Sequence, residues 1–151
     1  MNSLDQRFLI GEQVKGAPFV KKAGIEPVPM GYLICEPGGK AGQVGNADLI
    51  GPQQTERVEG YAMAAQFLGF KLFYLEAGSG AEFPVNPVLI KAARASCDLP
   101  IIVGGGIRDS HSARAAAEAG ADWIITGNIT EEYDDASELQ AVLSDLISGV
   151  A

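Results

Sequence analysis

The amino-acid sequence predicts an α/β fold on a parallel sheet, and two observations carry that prediction. Short apolar runs alternate with stretches of helical periodicity along most of the 151 residues, the order expected of strand–helix units. Glycines also stand where these runs give way to loops, as in GYLICEPGG, YLEAGSG and IIVGGG. A hydrophobic content of 47% is enough for a core, which excludes a disordered chain.

Each element has its own signal. PVPMGYLIC (Pro27 to Cys35) reads as the first strand, with a glycine-rich stretch behind it. Thr55 is the expected cap of a helix, TERVEGYAMAAQFLG, with Val58, Ala62, Ala65 and Leu68 as its apolar positions and Gly69 as its stop. FKLFYLE is the second strand. Asn86-Pro87 joins an N-cap to a proline at the first helical position, starting a helix that runs to about Ser96. LPIIVGG is a short strand that must be buried on both faces. Ser110 or Ser112 opens an alanine-rich helix closed by Gly120, and ADWIITG is the next strand. ASELQAVLSDLISG is an amphipathic last helix with Leu139, Val142, Leu143 and Leu146 on one stripe.

Ahead of these units, MNSLDQRFLIGEQVKGAPFVKKAG is expected to be a helix that followed another strand. Four strand–helix units suit either a doubly wound sheet or half of a (β/α)₈ barrel. Residues 1–151 are therefore expected to form a single, partial domain, truncated or completed by another chain.

Composition narrows the ligands. A formal charge of −8 argues against nucleic acid and against an anionic membrane surface. An anionic substrate would need local help from backbone N–H groups and helix N-termini. Cys35 and Cys97 lie far apart, in no metal or redox spacing, and are expected to be buried free thiols in a reducing compartment. No apolar run approaches the ~20 residues of a membrane span, so a cytoplasmic chain without a transmembrane segment is expected.

The glycine motifs carry the chemistry. In IIVGGGIRDSHSA (Ile101 to Ala113) the third glycine of a G-x-G-x-x-G fingerprint counted from Gly104 falls on Asp109, so a dinucleotide motif fails. There is no G-K-[ST] of a P-loop either. What remains is a run of backbone without Cβ atoms, able to bring N–H groups against an anion. Gly127-Asn128 repeats the device at the next strand end. Such consecutive loops form one phosphate site in many (β/α)₈ enzymes, whereas packing alone is the competing account of the glycines. Asn128-Ile129-Thr130 also matches a glycosylation sequon, read as chance at a strand end.

YLEAGSGA (Tyr74 to Ala81), PIIVGGGIR (Pro100 to Arg108) and ADWIITGN (Ala121 to Asn128), in this order and spacing, closely resemble the geranylgeranylglyceryl phosphate synthase family. That family includes the heptaprenylglyceryl phosphate synthases. GYLICEPGGKAGQVG is similar to its fifth-strand region and NSLDQRFLIGEQ to its fourth, so the resemblance covers essentially the whole chain. It implies a TIM-barrel type of α/β fold, here only the C-terminal half, about four βα units with parallel strands and ~60% of a member.

The resemblance implies a prenyltransferase that joins sn-glycerol 1-phosphate to a long prenyl diphosphate, in the phospholipid biosynthesis of archaeal-type ether lipids. It implies Gly105, Gly106, Gly127 and Asn128 as phosphate-binding residues. It also implies that the stretch Tyr74, Leu75, Glu76, Ala77, Gly78, Ser79 and Gly80 contacts the glycerol phosphate. Glu76 is the candidate to accept the hydroxyl proton, and Tyr74, two residues away on the same side of a strand, is the candidate to orient substrate.

Mg²⁺ on the departing diphosphate is also implied, with its aspartate ligand in early strands outside this chain; no metal ligand is assigned here. Asp134-Asp135-Ala136-Ser137-Glu138 precedes a helix and reads as capping rather than metal binding. His111 reads as solvated. The loop Glu36 to Gln54 reads either as a cover over the site mouth and the prenyl tail or as a mobile surface loop. A half barrel exposes edges and apolar faces, so a homo-oligomer or association with an N-terminal half is expected. The competing readings are a non-catalytic phosphate-binding module and another phosphate-binding barrel enzyme, the latter not predicting YLEAGSG.

Overall fold

The computed structural model of the chain describes residues 1–150. Four parallel strands, β1 (Met30–Ile34), β2 (Leu72–Glu76), β3 (Ile101–Gly104) and β4 (Trp123–Ile125), lie side by side in chain order. The helices between them are α2 (Gly39–Val44) and α3 (Thr55–Phe67) after β1, α4 (Pro87–Ser96) after β2, and α5 (Ser110–Glu118) after β3. A last helix, α6 (Ala136–Ser148), follows β4 and packs on α5. This is the predicted α/β order, with four parallel strands and no closure into a barrel among the described residues.

The register explains how the two sheet faces divide the work. Tyr32 lies beside Tyr74, Tyr74 beside Ile102, and Ile102 beside Trp123. Residues in register share a face. The odd-numbered Leu33, Phe73, Leu75, Ile101 and Val103 are fully buried and join the hydrophobic core with Val58, Ala62, Leu89, Ile90 and Ala113 of the helices. The opposite face carries Tyr32, Tyr74, Glu76 and Gly104, with no layer of helices over it. Trp123, at the β4 edge of that face, is 54% exposed.

Local signals decide the ends. Asn86 accepts a hydrogen bond from the Val88 N–H at 3.0 Å, with Pro87 starting α4 as expected. Asp109, rather than Ser110 or Ser112, caps α5: its carboxylate accepts from the Ser112 N–H at 2.7 Å in a capping box. Gln54 rather than Thr55 precedes α3, and its amide oxygen accepts from the Gly51 N–H instead of capping. Val58, Ala62 and Ala65 are buried as expected, but Leu68, at the α3 C-cap, is 68% exposed. Leu146 is buried, with Val142 and Leu143 packed against the core.

Residues ahead of β1 form a π-helical turn (Arg7–Gly11) running into α1 (Glu12–Lys22), a helix with no buried residue. Leu9, Ile10, Val14 and Phe19 are exposed. Cys35 and Cys97 are both buried and free, as the sequence implied. No described helix is long and apolar enough to cross a membrane.

Candidate functional site

The C-terminal ends of β2, β3 and β4 converge on a cavity of about 90 Å³. At roughly 10–15 Å³ of such space per water molecule, it has room for about six to nine waters, enough for a small polar ligand. Three loops line it: Tyr74, Glu76, Ser79 and Gly80 from the first, Gly105 to Arg108 from the second, and Ile125 to Ile129 from the third. The Thr126 hydroxyl donates to the Ile107 carbonyl at 3.2 Å, tying the second loop to the third.

Of the residues singled out in the sequence, Tyr74, Glu76, Ser79, Gly80, Gly105, Gly106, Gly127 and Asn128 all border this space. Leu75 and Ala77 do not. They point to the opposite side, into the core, because alternate strand residues face opposite ways. Gly78 sits behind the cavity, where its N–H donates to Glu76.

Glu76 is the organising group. It is 7% exposed and fully hydrogen-bonded on both oxygens. Oε1 accepts from the Gly78 N–H at 2.6 Å, and Oε2 accepts from the Tyr32 hydroxyl at 3.0 Å. The Tyr32 ring stacks on Tyr74 with centroids 4.9 Å apart and planes 12° from parallel. Gly104 makes the room for this cluster, since a Cβ there would collide with the Tyr74 hydroxyl.

Burial foremost, and then the negative charge of Glu76, pushes both tyrosine hydroxyls well above the ordinary tyrosine range. They therefore stay protonated at neutral pH and can donate. Burial also pushes the Cys35 thiol up to about 12, again with help from Glu76, so it remains an inert thiol. Glu76 is the one carboxylate lining the cavity, and a group able to take a proton there.

Tyr32→Phe tests this arrangement directly. Removing the hydroxyl leaves the stack and takes away one donor to a buried carboxylate. The expected loss is about 1–3 kcal/mol of stability, read from urea unfolding at neutral pH; an unchanged midpoint would mean that Oε2 does not depend on Tyr32.

The glycines of the second loop have the backbone an anion cradle needs. Gly105 and Gly106 take φ of +84° and +74°, the left-handed region where a side chain is costly. Successive N–H groups in such a turn can converge on an anion. On the third loop, Asn128–Thr130 forms a single 3-10 turn with Ile129 buried.

The segment Glu36 to Gln54 is not a free surface loop. It contains α2, buries Ile50, and ties Arg57 to Asp48 and Leu49. The Gly38 N–H donates to the Ala77 carbonyl at 2.8 Å. A Cβ on Gly78 would come within 2.6 Å of the Gly38 backbone. The loop is thus seated directly on the backbone that holds Glu76.

Mg²⁺ finds no ligand set here. No group of three or more His, Cys, Asp or Glu among the described residues converges on a cation position. Asp135 is spent on capping α6, accepting from Ser137 and Glu138 N–H groups at 2.8 and 3.0 Å. His111 is exposed in the first turn of α5. A hard cation needs several converging oxygens, and the residues present do not supply them.

Tyr32, Arg108 and Thr126 were not singled out in the sequence. Tyr32 could have been found only by knowing which β1 residue registers with Tyr74.

Residues 1–145 match the PcrB family. A geranylgeranylglyceryl phosphate synthase of Thermococcus gammatolerans is 48% identical over 150 residues, covering 99% of this chain and 60% of that protein. The chain spans about 60% of the length of the curated relatives it matches. Among solved structures, wild-type GGGPS from Thermoplasma volcanium is similar with a TM-score of 0.92 and 44% identity, over 99% of this chain and 59% of that one. A (S)-3-O-geranylgeranylglyceryl phosphate synthase from Thermoplasma acidophilum, in complex with sn-glycerol-1-phosphate, gives a TM-score of 0.94 at 39% identity, with the same coverage.

Proposed function

Because the chain belongs to the PcrB family, we propose that it carries the sn-glycerol 1-phosphate half of a prenyltransferase active site. Its partner substrate in this reading is a long-chain prenyl diphosphate, and the product is a prenylglyceryl phosphate of ether-lipid biosynthesis. The observation that carries the proposal is Glu76, an oriented carboxylate at the end of β2, beside a cavity bordered by Gly105, Gly106, Gly127 and Asn128. The names of the relatives, and the glycerol phosphate in the Thermoplasma acidophilum complex, support the same reading.

In this mechanism the phosphate sits on the glycine loops and the glycerol hydroxyl reaches toward Glu76. The hydroxyl oxygen forms a bond to the first prenyl carbon as the bond from that carbon to the diphosphate breaks. The diphosphate leaves with the electron pair, and the hydroxyl proton passes to a Glu76 oxygen. Tyr74 and Tyr32, both protonated, hold that carboxylate and the substrate in place. Leu75 and Ala77 contribute from behind, by fixing Tyr74 and Glu76 on the cavity side.

Residues 1–151 act in this proposal as one partial barrel domain of the cytoplasm. The exposed Trp123 and Ile125 of β4 and the unpartnered apolar positions of α1 favour association, with a second copy or with a segment supplying early strands. Mg²⁺ for the diphosphate would need ligands from outside residues 1–151.

The test is reconstitution. The chain is incubated with sn-glycerol 1-phosphate, labelled prenyl diphosphate and Mg²⁺, with and without a polypeptide covering the N-terminal part of a family member. Labelled ether product is expected when the N-terminal part is present. Glycerol phosphate binding without product in either mixture would overturn the catalytic reading and leave a phosphate-binding module.

A further inference from the structure

We infer that Arg108 sets the charge specificity of the cavity, selecting a doubly charged phosphate monoester over a singly charged diester. This rests on the phosphate reading of the same cavity and goes beyond it, since the glycine loops alone offer only neutral N–H dipoles.

The cavity contains one full negative charge, Glu76, and one full positive charge, Arg108. The chain as a whole carries −8. A dianion entering beside Glu76 meets repulsion at short range and an unfavourable field at long range. Partial charges of backbone N–H groups offset some of this. A guanidinium offsets a whole charge, and its planar fork matches two phosphate oxygens.

The backbone of Arg108 is anchored through its neighbour, while Arg108 itself is exposed. Ile107 is 3% exposed and anchors the loop in the core, while its carbonyl takes the Thr126 hydroxyl. Arg108 therefore starts from a pinned backbone, two residues past Gly106. Its side chain makes no ion pair or hydrogen bond among the described residues. The acid beside it, Asp109, is engaged with Ser112. The four ion pairs of the described residues lie elsewhere, at Arg7–Glu12, Lys15–Glu12, Arg57–Asp48 and Arg94–Asp122. Arg108 is an exposed cation at the rim of the cavity with its charge uncommitted.

The experiment titrates the purified chain, wild type, Arg108→Gln and Arg108→Lys, with methyl phosphate and dimethyl phosphate at pH 8. Methyl phosphate is then a dianion, its second pKa being near 6, and dimethyl phosphate a monoanion. Binding is read from the amide shifts of Gly105, Gly106, Gly127 and Asn128, whose dispersion also reports that each variant is folded. In the wild type, methyl phosphate should bind about tenfold or more tightly than the diester, as charge-assisted hydrogen bonds imply. Arg108→Gln should collapse that ratio toward one and weaken the salt dependence, and Arg108→Lys should keep part of it. An unchanged ratio in Arg108→Gln overturns this assignment alone. Absence of any shift in the wild type overturns the phosphate reading of the cavity and this assignment with it.

Discussion

Glu76→Gln should lower ether formation by about 10²–10⁴-fold in the reconstituted enzyme, the usual worth of a positioned general base, while glycerol phosphate binding changes by no more than a few-fold. The substitution keeps shape and removes the ability to take a proton. An amide oxygen can still accept from the Gly78 N–H, where Oε1 now accepts at 2.6 Å. The amide nitrogen then faces Tyr32, whose hydroxyl can turn from donating to accepting. The hydrogen bonds at both ends of the side chain thus have replacements, so lost activity would report on chemistry rather than on folding. The measurements are single-turnover product formation and calorimetric binding of sn-glycerol 1-phosphate. Full activity in this variant would move the proton to another acceptor and sink the assignment. The tyrosines are poor candidates for that acceptor, since burial and the Glu76 charge hold them protonated; with the charge gone in the variant, burial alone would still oppose their ionisation.

How this site follows from the sequence depends on which physical rule governs each residue. Strand alternation is local, so Tyr74 and Glu76 were correctly expected on one face, and the same rule should have removed Leu75 and Ala77. Gly105 and Gly106 were legible because only glycine suits their φ. Tyr32 was hidden because its role depends on the pairing of β1 with β2, forty-two residues apart in register, and register is not written in either strand alone. Helix ends failed for a different reason. The run Arg-Asp-Ser-His-Ser offers three residues able to cap α5, and the choice falls to Asp109 because its charged oxygen meets the Ser112 N–H while the Ser112 hydroxyl returns to Asp109. Leu68 followed the helical period but fell one residue past the end of α3, where the face it shared with Ala65 no longer meets the sheet. The segment ahead of β1 kept its helical pattern in α1 but had nothing described to pack on.

Gly105→Ala should abolish phosphate binding and lower stability together, and Gly127→Ala should separate the two effects. At Gly105 a Cβ would stand 2.6 Å from Glu76 Oε1 and 2.7 Å from both the nitrogen and the oxygen of Gly78, at a φ of +84°. A carboxylate alone could swing aside, but the Gly78 backbone cannot, because Gly38 is packed behind it. Left-handed backbone costs about 1–2 kcal/mol for a residue with a Cβ, and overpacking adds about 1–3. The sum, roughly 2–5 kcal/mol, is a large part of the 5–15 kcal/mol that typically holds a domain folded. Moving Gly78 would also draw its N–H away from Glu76, so the variant loses the anion cradle and the oriented carboxylate in one step. Gly127 borders the same cavity, yet a Cβ there meets nothing within 4 Å and its φ is −126°. Gly127→Ala should therefore unfold at the wild-type urea concentration. A methyl group at that position narrows the space beside Asn128, so weakened methyl phosphate binding in a fully stable Gly127→Ala chain would place the anion in the cavity. If instead Gly105→Ala bound methyl phosphate as the wild type does, the glycines would be packing residues and the phosphate reading would fall.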